Sequence, residues 1–158
     1  MTKTDYKKLI ASLIICQMAG IIGSVFTVSS VGTWYLEISK PAFTPPSWVF
    51  APVWTTLFLM MGLALYIVWS KGVKSKDSRI ALTVFGIQLV LNTLWSILFF
   101  GLRSPFLALV EIVFLWAAIL LSIVYFYKIS KRAAYLLVPY IAWVSFAAVL
   151  NLFIVLLN

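Results

Sequence analysis

An all-α membrane protein, a single domain built as a bundle of five transmembrane helices, is the fold class this sequence predicts, and three observations predict it. Hydrophobic residues make up 64% of the 158 positions and charged residues only 10%, a balance that a soluble domain of this size cannot hide from water. The apolar residues gather into five stretches, 9–30, 48–70, 80–101, 106–127 and 133–156, and one bilayer crossing takes about 20 residues. None shows the strict alternation of barrel strands, and lipid tolerates no unpaired backbone, so helices are the remaining solution.

The first span follows basic residues, as a signal peptide would, but its length and the lack of a small-residue cleavage site mark it as a retained helix. Gly20, Gly23, Ser24 and Thr27 form a small-residue stripe on it, where either a neighbouring helix or a ligand can approach closely. The connector 31–47 reads as an extended, rigid lid, because Pro41, Pro45 and Pro46 fix their own dihedrals and restrict the residues before them. The second span starts near Trp48, with Pro52 in its first turn, where a missing donor costs little. In the third span Gln88, Asn92 and Trp95 fall at i, i+4 and i+7, a polar stripe that must face the bundle interior. A tight turn from Gly101 to Pro105 leads into the fourth span, which carries Glu111. Pro139 either starts or kinks the regular helix of the fifth, beyond which Trp143, Ala147 and Asn151 repeat at i, i+4 and i+8.

A formal net charge of +8 would point to nucleic acid in a soluble protein, but here its distribution reads as topology. Lys3, Lys7 and Lys8 precede the first span, Lys71, Lys74, Lys76 and Arg79 join the second to the third, and Lys128, Lys131 and Arg132 join the fourth to the fifth. Only Lys40 and Arg103 fall on the opposite side. The N-terminus is therefore expected in the cytoplasm and the C-terminus outside, in a multi-pass protein of the cytoplasmic membrane that contacts anionic lipid and no nucleic acid.

The chain has no histidine and a single cysteine, Cys16, which removes the commonest metal ligand and the usual neutral-pH base and rules out an intrachain disulfide. No metal site is expected, no cofactor is required, and Glu111, a lone intramembrane carboxyl, makes a weak catalytic constellation, so no catalytic residue is assigned. Glu111 is expected to contact lid or ligand, or to pair with Arg103 or a lid amide, since an unpaired charge at that depth is costly.

With a rise of 1.5 Å per residue, Trp54 and Trp95 lie roughly 9 Å below the outer surface, Asn92 roughly 13 Å, and Glu111 and Asn151 roughly 8 Å. All share the half of the membrane beneath the lid. A closed, dry hollow is predicted there, lined by Trp54, Trp95, Trp143 and Asn92, whereas Trp48 and Trp69 read more simply as interfacial anchors and Trp34 is open to that reading. Indole faces stack on planar rings and a carboxamide gives a directional hydrogen bond, a pairing suited to a flat, conjugated macrocycle.

These residues carry a resemblance. WYxxxxKPxFxPP at 34–46, WxxAPxW at 48–54, Gly62, QxxxNxxWSxxFF at 88–100 and LxPYxxWxxFAxxLN at 137–151 are together similar to the tryptophan-rich sensory protein, or translocator protein (peripheral benzodiazepine receptor), family, in order and over nearly the whole chain. The resemblance implies a five-helix, commonly dimeric membrane protein that binds porphyrins, haem and other tetrapyrroles and benzodiazepine- or isoquinoline-type ligands. It implies a ligand site at Tyr35, Pro45, Trp54, Asn92, Trp95, Trp143, Ala147 and Asn151. Sensing, light- and oxygen-dependent porphyrin breakdown, and tetrapyrrole or sterol transport are the activities it offers. A tyrosine followed by Lys or Arg near the end of the fifth helix, the family's cholesterol pattern, is absent, because LFIVLLN follows Asn151; sterol is accordingly disfavoured as a ligand. The lack of histidine favours metal-free porphyrin over haem.

Overall fold

The structure, a computed structural model, describes residues 5–158; Lys3, counted above among the basic residues, lies outside them. Five helical segments of 24 to 27 residues, each apolar enough to cross a membrane, account for most of the chain, and among the described residues there is no strand. Helix α1 spans Tyr6–Val31, and Asp5 caps it by accepting a hydrogen bond from the Lys8 amide at 3.2 Å. The second crossing is a 3₁₀ turn at Ser47–Val49 that runs into α3, Phe50–Ser70. Ser75 caps α4, Lys76–Ser96, and Ser104 caps α5, Pro105–Ile129, where the proline stands at the first helical position. The fifth crossing is α6, Lys131–Leu136, followed by α7, Val138–Leu157.

One local expectation is corrected, one choice left open is settled, and one feature is new. The lid is not extended throughout: Trp34–Glu37 form a single helical turn, α2, before the chain straightens at Ile38. Pro139 starts a helix rather than bending one, because the break comes at Leu137, whose amide reaches back only to Ala134 (3.0 Å) and leaves the proline in the first turn of α7. The end of α4 is no ordinary helix end. Ile97–Gly101 form a π turn, in which the Leu102 amide donates to the Ile97 carbonyl at 2.8 Å, and Arg103 takes a left-handed φ of 52° to close the hairpin.

Helices α4 and α5 pack as an antiparallel hairpin, α7 lies against α5, and α1 lies against α3 and α4. Glycines set the approach of α1. A Cβ at Gly62 of α3 would stand 3.0 Å from the Leu13 Cα, and one at Gly20 would stand 2.6 Å from the Phe58 ring, so the two helices meet almost backbone to backbone. At the opposite end from the lid, the Lys71 ammonium donates to the Ile129 carbonyl at 2.9 Å, fixing the two basic connections to one end of the bundle.

Replacement of Gly62 by alanine should force α1 away from α3 and lower the thermal midpoint in detergent, by a free energy of about 1–3 kcal/mol. Gly86→Ala is the control, since a Cβ there meets nothing within 4 Å and the helix gains about 0.5–1 kcal/mol. Equal behaviour of the two variants would count against the close approach.

Candidate functional site

A cavity of about 340 Å³ lies between α1, α3, α4 and α7 under the lid, within the range of small-molecule sites. Of the eight residues expected to line it, Tyr35, Trp54, Asn92, Trp95, Trp143, Ala147 and Asn151 do. Pro45 does not: the lid reaches the wall through Tyr35 and Ser47, while Pro45, half-buried, belongs to the stretch between them. The small-residue stripe of α1 serves both uses left open above. Gly20 and Gly23 admit the Phe58 ring and the Ser96 hydroxyl, and together with Ser24 and Thr27 they form the wall on that side. The expected closed hollow is not closed. Ser24, Val28, Ala51 and Thr55 line the cavity and are also exposed, so it reaches the flank of the bundle between α1 and the start of α3. The reason is that α1 and α3 touch closely at Gly62 and Gly20, whereas toward the lid no glycine brings them together.

Each indole is held differently. Trp95 stacks on Phe99 with centroids 4.9 Å apart and an interplanar angle of 19°, and its Nε1 donates to Asn151 Oδ1 at 3.2 Å. Asn151 Nδ2 in turn donates to the Pro105 carbonyl at 2.8 Å. Both ends of the Asn151 carboxamide are thus engaged in orienting Trp95 and joining α4, α5 and α7, while the residue also lines the cavity. Trp54 rests against Phe58 (5.7 Å) and edge-on to Tyr140 (6.3 Å), and Trp143 against Phe50 and Phe146 at 6.1 and 5.5 Å. The indole N–H groups of Trp54 and Trp143 donate to no protein acceptor among the described residues, which leaves two donors available beside the cavity.

Behind this wall lies a chain of polar groups that sequence reading found only in part. Asn92 Nδ2 donates to the Tyr140 hydroxyl at 2.8 Å, and that hydroxyl donates to Gln88 Oε1, also at 2.8 Å. Gln88 and Asn92 were expected to face inward, but Tyr140, 1% exposed, was not anticipated as the link. Its signal was its place beside Pro139 in the motif LxPYxxWxxFAxxLN at 137–151, which gives it no partner. In this arrangement Asn92 Oδ1 has no partner among the described residues and is an acceptor the site presents. Tyr35, in the lid, packs 5.7 Å from Phe100 and 6.3 Å from Phe99; burial pushes its phenol pKa up, so it stays a donor at neutral pH. Phe50, Phe99 and Phe100 also line the cavity and were not expected there: Phe99 and Phe100 close the motif QxxxNxxWSxxFF, but phenylalanine within an apolar run does not by itself mark a cavity wall.

Glu111 makes neither of its expected pairings. It is 6% exposed, and among the described residues neither carboxyl oxygen has a hydrogen-bond partner. Among the described residues the one ion pair joins Lys8 to Asp5 at 3.6 Å. Arg103, in its left-handed turn, is exposed, and a guanidinium that keeps its hydration gains little by descending toward a buried acid. Glu111 is also absent from the cavity wall. No group of three or more acidic, cysteine or histidine residues suited to a metal occurs among the described residues.

Residues 12–157 match the family model described as TspO/MBR. The chain belongs to the TspO/MBR family. It is 51% identical over 151 residues to the tryptophan-rich protein TspO of Archaeoglobus fulgidus, covering 96% of this chain and 97% of that protein. Against the protein of the same name from Chlorobaculum tepidum the identity is 46%, with 91% of each chain covered. The human translocator protein is 38% identical over 131 residues, spanning 82% of this chain and 78% of the human one. Membership of the TspO/MBR family and the five apolar helices together make this an integral, multi-pass membrane protein.

Tyr140→Phe should orphan Gln88 Oε1 and Asn92 Nδ2 and lower stability in detergent by about 1–3 kcal/mol, read as a fall in the thermal midpoint. Glu111→Gln keeps the shape and removes an unpaired ionisable group, so its midpoint should stay the same or rise. A loss above about 1 kcal/mol would show that the carboxyl has a partner after all.

Proposed function

We propose that this protein is an integral-membrane receptor and sensor that binds porphyrin-type tetrapyrroles, and related flat synthetic ligands of the benzodiazepine and isoquinoline type, in the cavity beneath the lid. The observation that carries the reading is the convergence of Trp54, Trp95 and Trp143 on one 340 Å³ cavity with the Asn92 carboxamide. Aromatic faces contribute on the order of 0.5–1.5 kcal/mol per favourable pair beyond area burial, and they suit a conjugated, planar ligand better than a flexible one. The uncommitted N–H groups of Trp54 and Trp143 and the free Oδ1 of Asn92 supply the few polar contacts that fix orientation.

Several features support the finer parts of this reading. With no histidine in the chain, a metal-free porphyrin is a better match than haem, and no resident cofactor is needed. The sequence after Asn151 lacks the tyrosine and basic residue of the cholesterol pattern, which weighs against sterol. The basic connections share one end of the bundle and the lid the other. By the positive-inside rule this supports a cytoplasmic-membrane protein with its N-terminus inside and its lid and C-terminus outside. A homodimer belongs to the same proposal on the strength of the family resemblance. Binding is preferred to chemistry because the wall offers stacking faces and neutral hydrogen-bonding groups, while the one intramembrane carboxyl lies off it.

Trp54→Ala and Trp143→Ala should each weaken protoporphyrin IX binding about tenfold, measured by quenching of the remaining tryptophan fluorescence in detergent. Unchanged affinity in both variants would remove the site.

A further inference from the structure

The lid is tied to α7 by a contact that lies outside the cavity. Asn158 follows the last turn of α7, and its carboxamide is fully engaged. Oδ1 accepts from the Ser39 amide at 3.0 Å, while Nδ2 donates to the Ser39 carbonyl at 2.9 Å and to the Ile154 carbonyl at 2.8 Å. One side chain thus pairs with the lid backbone as a neighbouring strand would, and the third bond locks that side chain to its own helix. Nearby, Phe43 of the lid stands edge-on to Phe153 of α7, with centroids 5.4 Å apart. On the near side of Ser39 the lid folds onto itself: the Lys40 ammonium donates to the carbonyls of Tyr35 (2.6 Å) and Ile38 (2.9 Å) and sits 4.8 Å from the Tyr35 ring centre.

These contacts form a mechanical series. Asn158 holds Ser39, Lys40 braces the turn between Ser39 and Tyr35, and Tyr35, 4% exposed, is seated among Phe99, Phe100 and Ile154 at the top of the cavity. We propose that Asn158 is a positioning residue for the ligand site: by clamping Ser39 to the end of α7 it keeps Tyr35 over the cavity and slows ligand escape. The effect on ligand rests on the cavity being the binding site; the effect on the lid does not. Tyr35 needs such an anchor because α2 is a single turn, too short to hold its own shape.

The test compares the full chain with Asn158→Ala and with Ser39→Pro. The proline deletes the Ser39 donor, and Ile38 already has the extended backbone (φ −73°, ψ 147°) required of a residue before proline. Amide hydrogen exchange of the lid in unliganded protein is read first, and the dissociation rate of protoporphyrin IX by stopped-flow fluorescence second. Each variant should raise lid exchange about tenfold and speed porphyrin release by a similar factor, and the double variant should be no worse than either single one, since both remove one contact. Unchanged lid exchange in Asn158→Ala would overturn the clamp. Faster exchange with an unaltered release rate would overturn its role in retaining ligand. Failure of the unsubstituted protein to bind protoporphyrin IX would instead sink the tetrapyrrole reading, and the exchange result would stand separately.

Discussion

Inside a bilayer a phenol or a carboxamide has no water to turn to, so the chain from Asn92 through the Tyr140 hydroxyl to Gln88 fixes how α7 stands against α4. Either helix could rotate or slide only by breaking two hydrogen bonds where no replacement exists. With that contact in place, Trp143 and Ala147, one and two turns beyond Tyr140, face the same space as Trp95, one turn beyond Asn92. The second junction, from Trp95 through Asn151 to the Pro105 carbonyl, repeats the arrangement nearer the lid. Two polar ties, at Tyr140 and Asn151 and about three turns apart along α7, define the wall between them.

The aromatic side chains divide their work accordingly. Trp95 gives its N–H and one ring face to the protein, and so serves mainly as rigid surface. Trp54 and Trp143 pack against neighbouring rings and the core and keep their N–H groups. The π turn at Ile97–Gly101 contributes by widening the end of α4, so that Phe99 lies under Trp95 while Phe100 reaches both Tyr35 and the wall. Ser30 of α1 donates to the Phe100 carbonyl at 2.7 Å, satisfying one of the backbone groups such a turn exposes.

Much of this was legible because membrane insertion imposes simple rules. Hydropathy and chain length give five crossings, and the i, i+4, i+7 spacing of Gln88, Asn92 and Trp95 gives the inward face of α4. Cavity residues were recognisable where a polar or indole side chain stood in an apolar run. Recognition failed where the decisive partner was chemically ordinary or distant. Tyr140, Phe99 and Phe100 stand in the family motifs, but nothing in those motifs says what each one touches, and Asn158 meets Ser39 across 119 residues of chain. Pro45 was carried in by family pattern, yet its rigidity shapes the lid without bringing it to the wall. Glu111 was given partners because an isolated carboxyl is costly, but cost alone does not supply a neighbour.

The sequence by itself determined that this chain lives in a membrane, how many times it crosses, which end is basic, and which side chains must turn inward, because each follows from solvation applied locally along the chain. The tertiary structure alone decided which inward side chains meet, that Asn151 orients Trp95, that the cavity reaches the flank between α1 and α3, and that the lid is fastened to the end of α7. Those outcomes depend on helix separations set by single glycines and on hydrogen bonds between residues remote in sequence, and neither has a local signature.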